Sequence, residues 1–297
     1  MIIWLVTGMV LWNACNDDDN LAPTEGLEFT YTLPQGNHDY DPKIVDWNKR
    51  CGFYILYEFQ PKDLYWGQIA WLEAMKTGEV WTKSGILGEP ADQAYVGEQL
   101  RLVENQLFKY YPDSTLRRFM PIKLLLCSKL EQVHLLPSAW SEDISLFSSV
   151  DMIAINYGNA DIENLTAESV TAFRDVLNIE MLRRVINNDK IEIPVEFSKV
   201  SSYGEYISQR DMYSEGFIGN DSQEAKVKED FITYLEAMIT KSFEELTTET
   251  QDGNYTYDGI LHSSKDVNGL IRKKYEIAAD YLKSRYNVDL QRIGNER

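Results

Sequence analysis

The 297-residue chain carries 29 Lys and Arg against 47 Asp and Glu, for a net charge of −18. That balance excludes a nucleic-acid surface, which needs clustered cations, and electrostatic adsorption to anionic lipid. The length suffices for one or two domains with a large core, and the acidity fits simple solubility.

The first fifteen residues read as a targeting segment. The run from Ile2 to Trp12 is apolar, too short to span a bilayer as a mature helix, and ends in Asn13-Ala14-Cys15. A small residue before a Cys resembles a bacterial lipoprotein signal, in which Cys15 is lipidated and becomes the new N-terminus. No Lys or Arg precedes the run, and Trp12 stands where Leu is usual; a buried N-terminal helix with an incidental Cys is the other reading. Asn16-Asp-Asp-Asp-Asn20 resembles the acidic export signal of Bacteroidetes surface lipoproteins and also fits a solvated linker. On the lipoprotein reading the chain is expected to divide into a signal peptide (1–15), a surface tether and N-terminal segment (16–44) and a domain (45–297), attached to the outer membrane by lipid and facing outward.

Further along, Leu27 to Leu33 alternates and predicts an edge strand. A short helix over Asp41 to Asn48 leads into a strand from Phe53 to Tyr57. Pro61 to Pro90 holds Trp66, Trp71 and Trp81; such aromatics stack on sugar rings or fill a core, and the area they bury favours a core. Apolar residues at Tyr95, Leu100, Val103, Leu107 and Tyr110 predict a helix over Ala91 to Tyr111, stopped by Pro112. Ile122 to Cys127 and Val150 to Tyr157 are dense in apolar and β-branched residues and predict strands. Thr166 caps a helix running through Phe173, Val176, Leu177 and Leu182, and Asn187-Asn-Asp189 is a turn.

Pro194 opens the next predicted helix, with Glu196 and Lys199 one turn apart on an exposed face. Glu224 to Leu246 reads as one long helix whose stripe is Phe231, Tyr234, Leu235, Met238, Ile239 and Phe243. Asp266 caps the last helix. Helices and strands are interspersed without strict βαβ alternation or a Gly-rich phosphate loop, so the fold class is α+β, a mixed sheet packed with several helices.

Dedicated chemistry is sparse. His38, His134 and His262 are far apart, with no pair at helical spacing. Cys51 and Cys127 sit in apolar runs and read as buried thiols, with one disulfide an open alternative. No Gly-x-Ser-x-Gly, Walker or EF-hand pattern is present.

Five landmarks carry a family resemblance: Lys49 to Tyr57, Phe119 to Leu126, Met152 to Gly158, Gly216-Phe-Ile218 with Lys228-Glu-Asp-Phe-Ile-Thr233, and Tyr281 to Leu290. In this order they resemble the zinc metallopeptidase lipoproteins of Bacteroidetes (substrate import-associated zinc metallohydrolase lipoproteins), encoded beside SusC/SusD-type outer-membrane importers. The resemblance implies a zincin-like metallopeptidase fold, with zinc in the family. It places Val195-Glu-Phe-Ser-Lys199 at the His-Glu-x-x-His position, where two His bind Zn²⁺ and the Glu is general base. Here Val195 and Lys199 replace the His, Thr233 falls on the place of a third ligand or supporting acid, and Glu196 remains as the general-base position. Glu236, one turn further, is an acid that could substitute. On this reading no zinc is bound, and the helix after Pro194 packs beside the one from Glu224, bringing Glu196 near Asp230 and Thr233. Two functions stay open: a non-catalytic accessory of a SusC/SusD-type nutrient import system, binding peptide, glycan or a partner protein, or a zinc-dependent hydrolase with its ligands elsewhere.

Overall fold

The computed structural model describes residues 31–65, 76–77, 80–81, 84–135, 139–219, 223–251 and 253–297. Cys15, the acidic run 16–20, most of the expected 27–33 strand, Trp66 and Trp71 lie outside the described residues. In chain order, helix α1 (Asp41–Cys51) leads to strand β1 (Tyr54–Leu56) and helix α2 (Pro61–Tyr65). Two short strands, β2 (Lys76–Thr77) and β3 (Val80–Trp81), pair with each other before β4 (Gly85–Pro90). Helices α3 (Val96–Gln106) and α4 (Asp113–Phe119) precede β5 (Lys123–His134), β6 (Trp140–Asp143), β7 (Leu146–Ser148) and β8 (Met152–Ile155). The rest is mostly helical: α5 (Ala167–Asn187), α6 (Val195–Ser198), the strand pair β9 (Tyr206–Ile207) and β10 (Gln223–Glu224), α7 (Val227–Thr240), α8 (Phe243–Thr247), α9 (Leu270–Tyr286) and α10 (Leu290–Asn295). Leu33–Arg297 is one compact unit, with Tyr40 and Ile44 in its core. The α+β class read from the sequence holds: a mixed sheet packed by helices.

The six-stranded sheet is built on β5. Lys123 to Leu125 pair in parallel with β1 on one side, Lys123 to Leu126 pair in parallel with β8 on the other, and from Cys127 onward the same strand pairs antiparallel with β4 and β6. The burial pattern records the change. Lys123 to Cys127 are all buried, whereas burial becomes intermittent from Ser128 to His134, as expected when a strand passes from a sheet covered on both faces to one covered on a single face. Lys123, buried in this run, is neutralised by Asp151 at 2.9 Å.

Helix limits follow local chemistry. Gly52, at φ 83°, ends α1 in the left-handed conformation that a side chain resists. The helix expected from Ala91 starts only at Val96, because Pro90 still pairs with β5 and the Ala91 N–H donates to the Leu126 carbonyl at 2.9 Å. It ends at Gln106 and continues as a 3₁₀ turn to Tyr110. Gln99, fully buried on α3, donates to the carbonyls of Ile155 and Asn156 at 2.9 and 2.8 Å and ties the helix to the end of β8. Thr166 caps α5 as expected, its hydroxyl accepting from the Ser169 N–H.

The helix expected over Glu224 to Leu246 is two helices. Lys241 leaves α7 in an extended conformation, and Ser242 with Glu245 forms a reciprocal capping box that starts α8. The helix expected after Pro194 is a single four-residue turn, α6. Only Phe197 of that turn is buried, and a short helix without an apolar stripe has too little packing to offset its nucleation cost.

Candidate functional site

Helices α5 and α7 pack side by side. Each buries an extended apolar surface: Phe173, Leu177, Met181 and Val185 on α5, and Phe231, Tyr234, Leu235 and Met238 on α7. Their charged residues are left along the seam. Glu180 and Arg183 lie one turn apart on α5, and Glu229 and Glu236 two turns apart on α7, spacings that keep each pair on one helix face. The Arg183 guanidinium faces all three carboxylates. Its Nε is 3.5 Å from Glu180 Oε1, its Nη1 is 3.6 Å from Glu229 Oε2, and its Nη2 donates to Glu236 Oε1. The Tyr257 hydroxyl donates to the other Glu236 oxygen at 3.2 Å. Burial pushes the Glu236 carboxyl above its ordinary value, against the pull of Arg183 and the Tyr257 hydrogen bond.

On the next face of α7 lies a buried ion pair. Lys274 of α9 places its ammonium 2.7 Å from Asp230 Oδ2, with side-chain exposures of 0% and 4%. The Tyr203 hydroxyl donates to the same oxygen at 2.6 Å, and the ammonium also donates to the Gly216 carbonyl at 2.9 Å. Phe217 stands 4.1 Å from the ammonium to its ring centroid, with Tyr203, Phe197 and Tyr234 at 5.2, 5.3 and 5.8 Å, an aromatic enclosure that stabilises a desolvated cation. Burial drives the Asp230 carboxyl up and the Lys274 ammonium down, while each charge pulls the other back. Beside this pair is a small cavity lined by Ile207, Met212, Phe217, Ala225, Asp230 and Thr233, among others.

The residues singled out by sequence occupy the edge of this region. Phe197 packs edge-on against Phe231 and Tyr234, with centroids 5.0 and 5.5 Å apart. The segment after Pro194 therefore does reach α7, but through Phe197. Successive helical residues are about 100° apart, so turning Phe197 inward turns Glu196 out. Glu196 and Lys199 are exposed, with no ion pair between them among the described residues, and Glu196 makes no hydrogen bond or ion pair to Asp230 or Thr233. Val195 is 57% exposed, and the Thr233 hydroxyl donates to the Glu229 carbonyl at 2.8 Å.

A zinc ion does not fit these residues. Val195 has no donor atom, Lys199 is cationic and exposed, and Thr233 offers a neutral oxygen already engaged. Asp230 is held by Lys274, and Glu229 and Glu236 are held by Arg183. The three His have local partners instead: Asp41 for His38, Glu142 for His134 and Ser264 for His262. Among the described residues, no group of three or more His, Cys, Asp or Glu is placed to hold a metal. Cys51 and Cys127 are buried and free.

Lys274 and Arg183 escaped the sequence reading, although each left a signal. Lys274 interrupts the apolar stripe of α9 between Ile271 and Ala278, and a charge in a buried stripe implies a buried partner. Glu180-x-x-Arg183 is a charged pair at helical spacing next to the fully buried Met181 and Val185. Tyr203 and Tyr257 carry no pattern, being brought in by loops.

An α+β scaffold whose polar centre lies between two packed helices, with its acids supplied from the helix faces, is the class that the fold and site define. Residues 135–291 match the family described as "putative zinc-binding metallo-peptidase", and the chain belongs to that family. The match covers α5, α7 and α9, which together carry the site. A solved structure described as a putative zinc-binding metallo-peptidase from Bacteroides caccae ATCC 43185 is similar at 13% identity, over 88% of this chain and 95% of that one, with a TM-score of 0.47. No curated protein matches the chain.

Proposed function

We propose that the chain is a lipid-anchored outer-membrane protein that keeps a metallopeptidase scaffold without zinc catalysis, and that it serves a SusC/SusD-type nutrient importer by binding an extended peptide. One observation carries the reading: the acids on α7 already have resident cations, Lys274 for Asp230 and Arg183 for Glu229 and Glu236. A hydrolytic zinc lowers the pKa of its bound water to make a nucleophile at neutral pH; without that metal the exposed Glu196 has no activated water to deprotonate. The cavity walls at Met212, Phe217 and Ile218 supply apolar surface for a side chain of a bound peptide. Lipid attachment rests on Ala14-Cys15 and outward display on the acidic run after it.

The test is elemental analysis of the purified protein together with a peptidase assay before and after chelation. The reading requires substoichiometric zinc and no chelator-sensitive cleavage. One tightly held zinc per chain with activity lost on chelation would establish the other reading, a zinc-dependent hydrolase with ligands at other positions.

A further inference from the structure

We propose that the Arg183 guanidinium is the built-in cation of the α5–α7 seam, gathering Glu180, Glu229 and Glu236 as a divalent metal would and so making the helix pair independent of metal. The arrangement has the features of a cation site except that its cation is covalent. Three carboxylates from two helices converge on one positive centre, which reaches each through a different nitrogen. A fourth group, the Tyr257 hydroxyl, orients the most enclosed carboxylate, Glu236, at 19% side-chain exposure. This second tier of hydrogen bonding is what metal-binding carboxylates ordinarily receive.

The planar guanidinium also explains why the carboxylates form no metal-ligand group now. A fork of donors holds its acceptors on separate sides, whereas a spherical ion draws oxygens to one point. Removing the fork leaves three uncompensated acids, two of them on flexible side chains with exposures of 36% and 50%, free to swing toward a common centre. An all-oxygen donor set suits Mn²⁺ or Ca²⁺ better than the softer ions. The vacated seam of an Arg183 variant would therefore take a hard divalent cation, which wild type refuses.

The inference builds on the non-catalytic reading and can fail separately from it. The experiment compares wild type, Arg183→Ala, Arg183→Lys, and Arg183→Ala combined with Glu229→Gln and Glu236→Gln. Each is titrated with Mn²⁺ alone and followed by loss of the free-ion paramagnetic resonance signal and by thermal unfolding. Arg183→Ala should bind about one Mn²⁺ and gain about 5 °C in Tm at saturation. Arg183→Lys, which keeps a cation, the triple variant and wild type should do neither. Absence of Mn²⁺ binding by folded Arg183→Ala would overturn the proposal, as would equal binding by wild type or by the triple variant. Should Arg183→Ala fold only with Mn²⁺ present, the proposal is upheld; should it fail to fold in either condition, Arg183→Met is titrated in its place, and its failure to bind overturns the proposal. Zinc bound elsewhere in wild type would refute the proposed function and leave this inference standing.

Discussion

Replacing Lys274 by Met tests the buried pair at the core of the site. Methionine keeps most of the side-chain volume, so the loss is the charge and its hydrogen bonds to Asp230 and the Gly216 carbonyl. Among the described residues, Asp230 is then a buried carboxylate with only the Tyr203 hydroxyl bonded to it. Breaking a buried pair from one side costs about 3–5 kcal/mol. A second argument sets a similar scale: Asp230 can escape its charge by taking up a proton, and moving from its ordinary value of 3.8 to pH 7 at about 1.36 kcal/mol per unit costs roughly 4 kcal/mol. Protonation also fixes the sign of the pH dependence. In the variant the folded-state pKa of Asp230 lies above 3.8, so the folded state holds a proton the unfolded state has released, and stability falls as pH rises through that window. The penalty should be largest at pH 7, about 10 °C in Tm, and shrink by about 1.4 kcal/mol per unit on going down toward pH 5. Adding Asp230→Asn should recover most of it. Chemical denaturation of both variants at several pH values is the assay. A penalty below about 1 kcal/mol, or one that does not change with pH, would refute the account of Asp230 as a charge kept chiefly by Lys274.

Three further outcomes are expected. A Cβ at Gly294 would collide with the Met238 and Lys241 carbonyls, so Gly294→Ala should destabilise by roughly 1–3 kcal/mol, toward the upper end because the obstacle is backbone; urea titration measures it. Lys109 and Arg292 hold the Glu296 carboxyl down from 4.5 to about 2, so its contribution is present above 4.5 and lost as pH falls toward 2, and Glu296→Gln should flatten the acid limb of a stability–pH profile in that window. Cys15→Ala should move the protein from membrane to soluble fractions or leave an unprocessed precursor, and unchanged fractionation would count against the lipid anchor.

What the sequence disclosed followed local patterns of apolar residues. The strands around Leu124 and Ile153 were legible because each is a short, continuously buried apolar run, and the helix capped by Thr166 because its apolar residues recur at helical spacing. The split at Lys241 was written as Ser242-Phe-Glu-Glu245, a capping box hidden by an apolar stripe that continues to Phe243. The site was less legible because its pairings are tertiary. Asp230 meets Lys274, 44 positions away, and Glu236 meets Arg183, 53 away; no local spacing encodes either. A five-residue frame at Val195 drew attention through family resemblance, yet Phe197 is the member of that frame with a buried role.

The double membership of β5 bears on how the chain reaches this structure. Leu124, Leu125 and Leu126 are wholly buried in the fold, but in a growing chain they form an uncharged, adhesive run of the kind that recruits neighbouring chains. One flank can be covered early, because β1 precedes β5. The other cannot, because β8 lies downstream. Until Met152–Ile155 arrives, the central strand presents an open edge, and the interval between the two pairings is when the unfinished protein is most prone to associate with copies of itself.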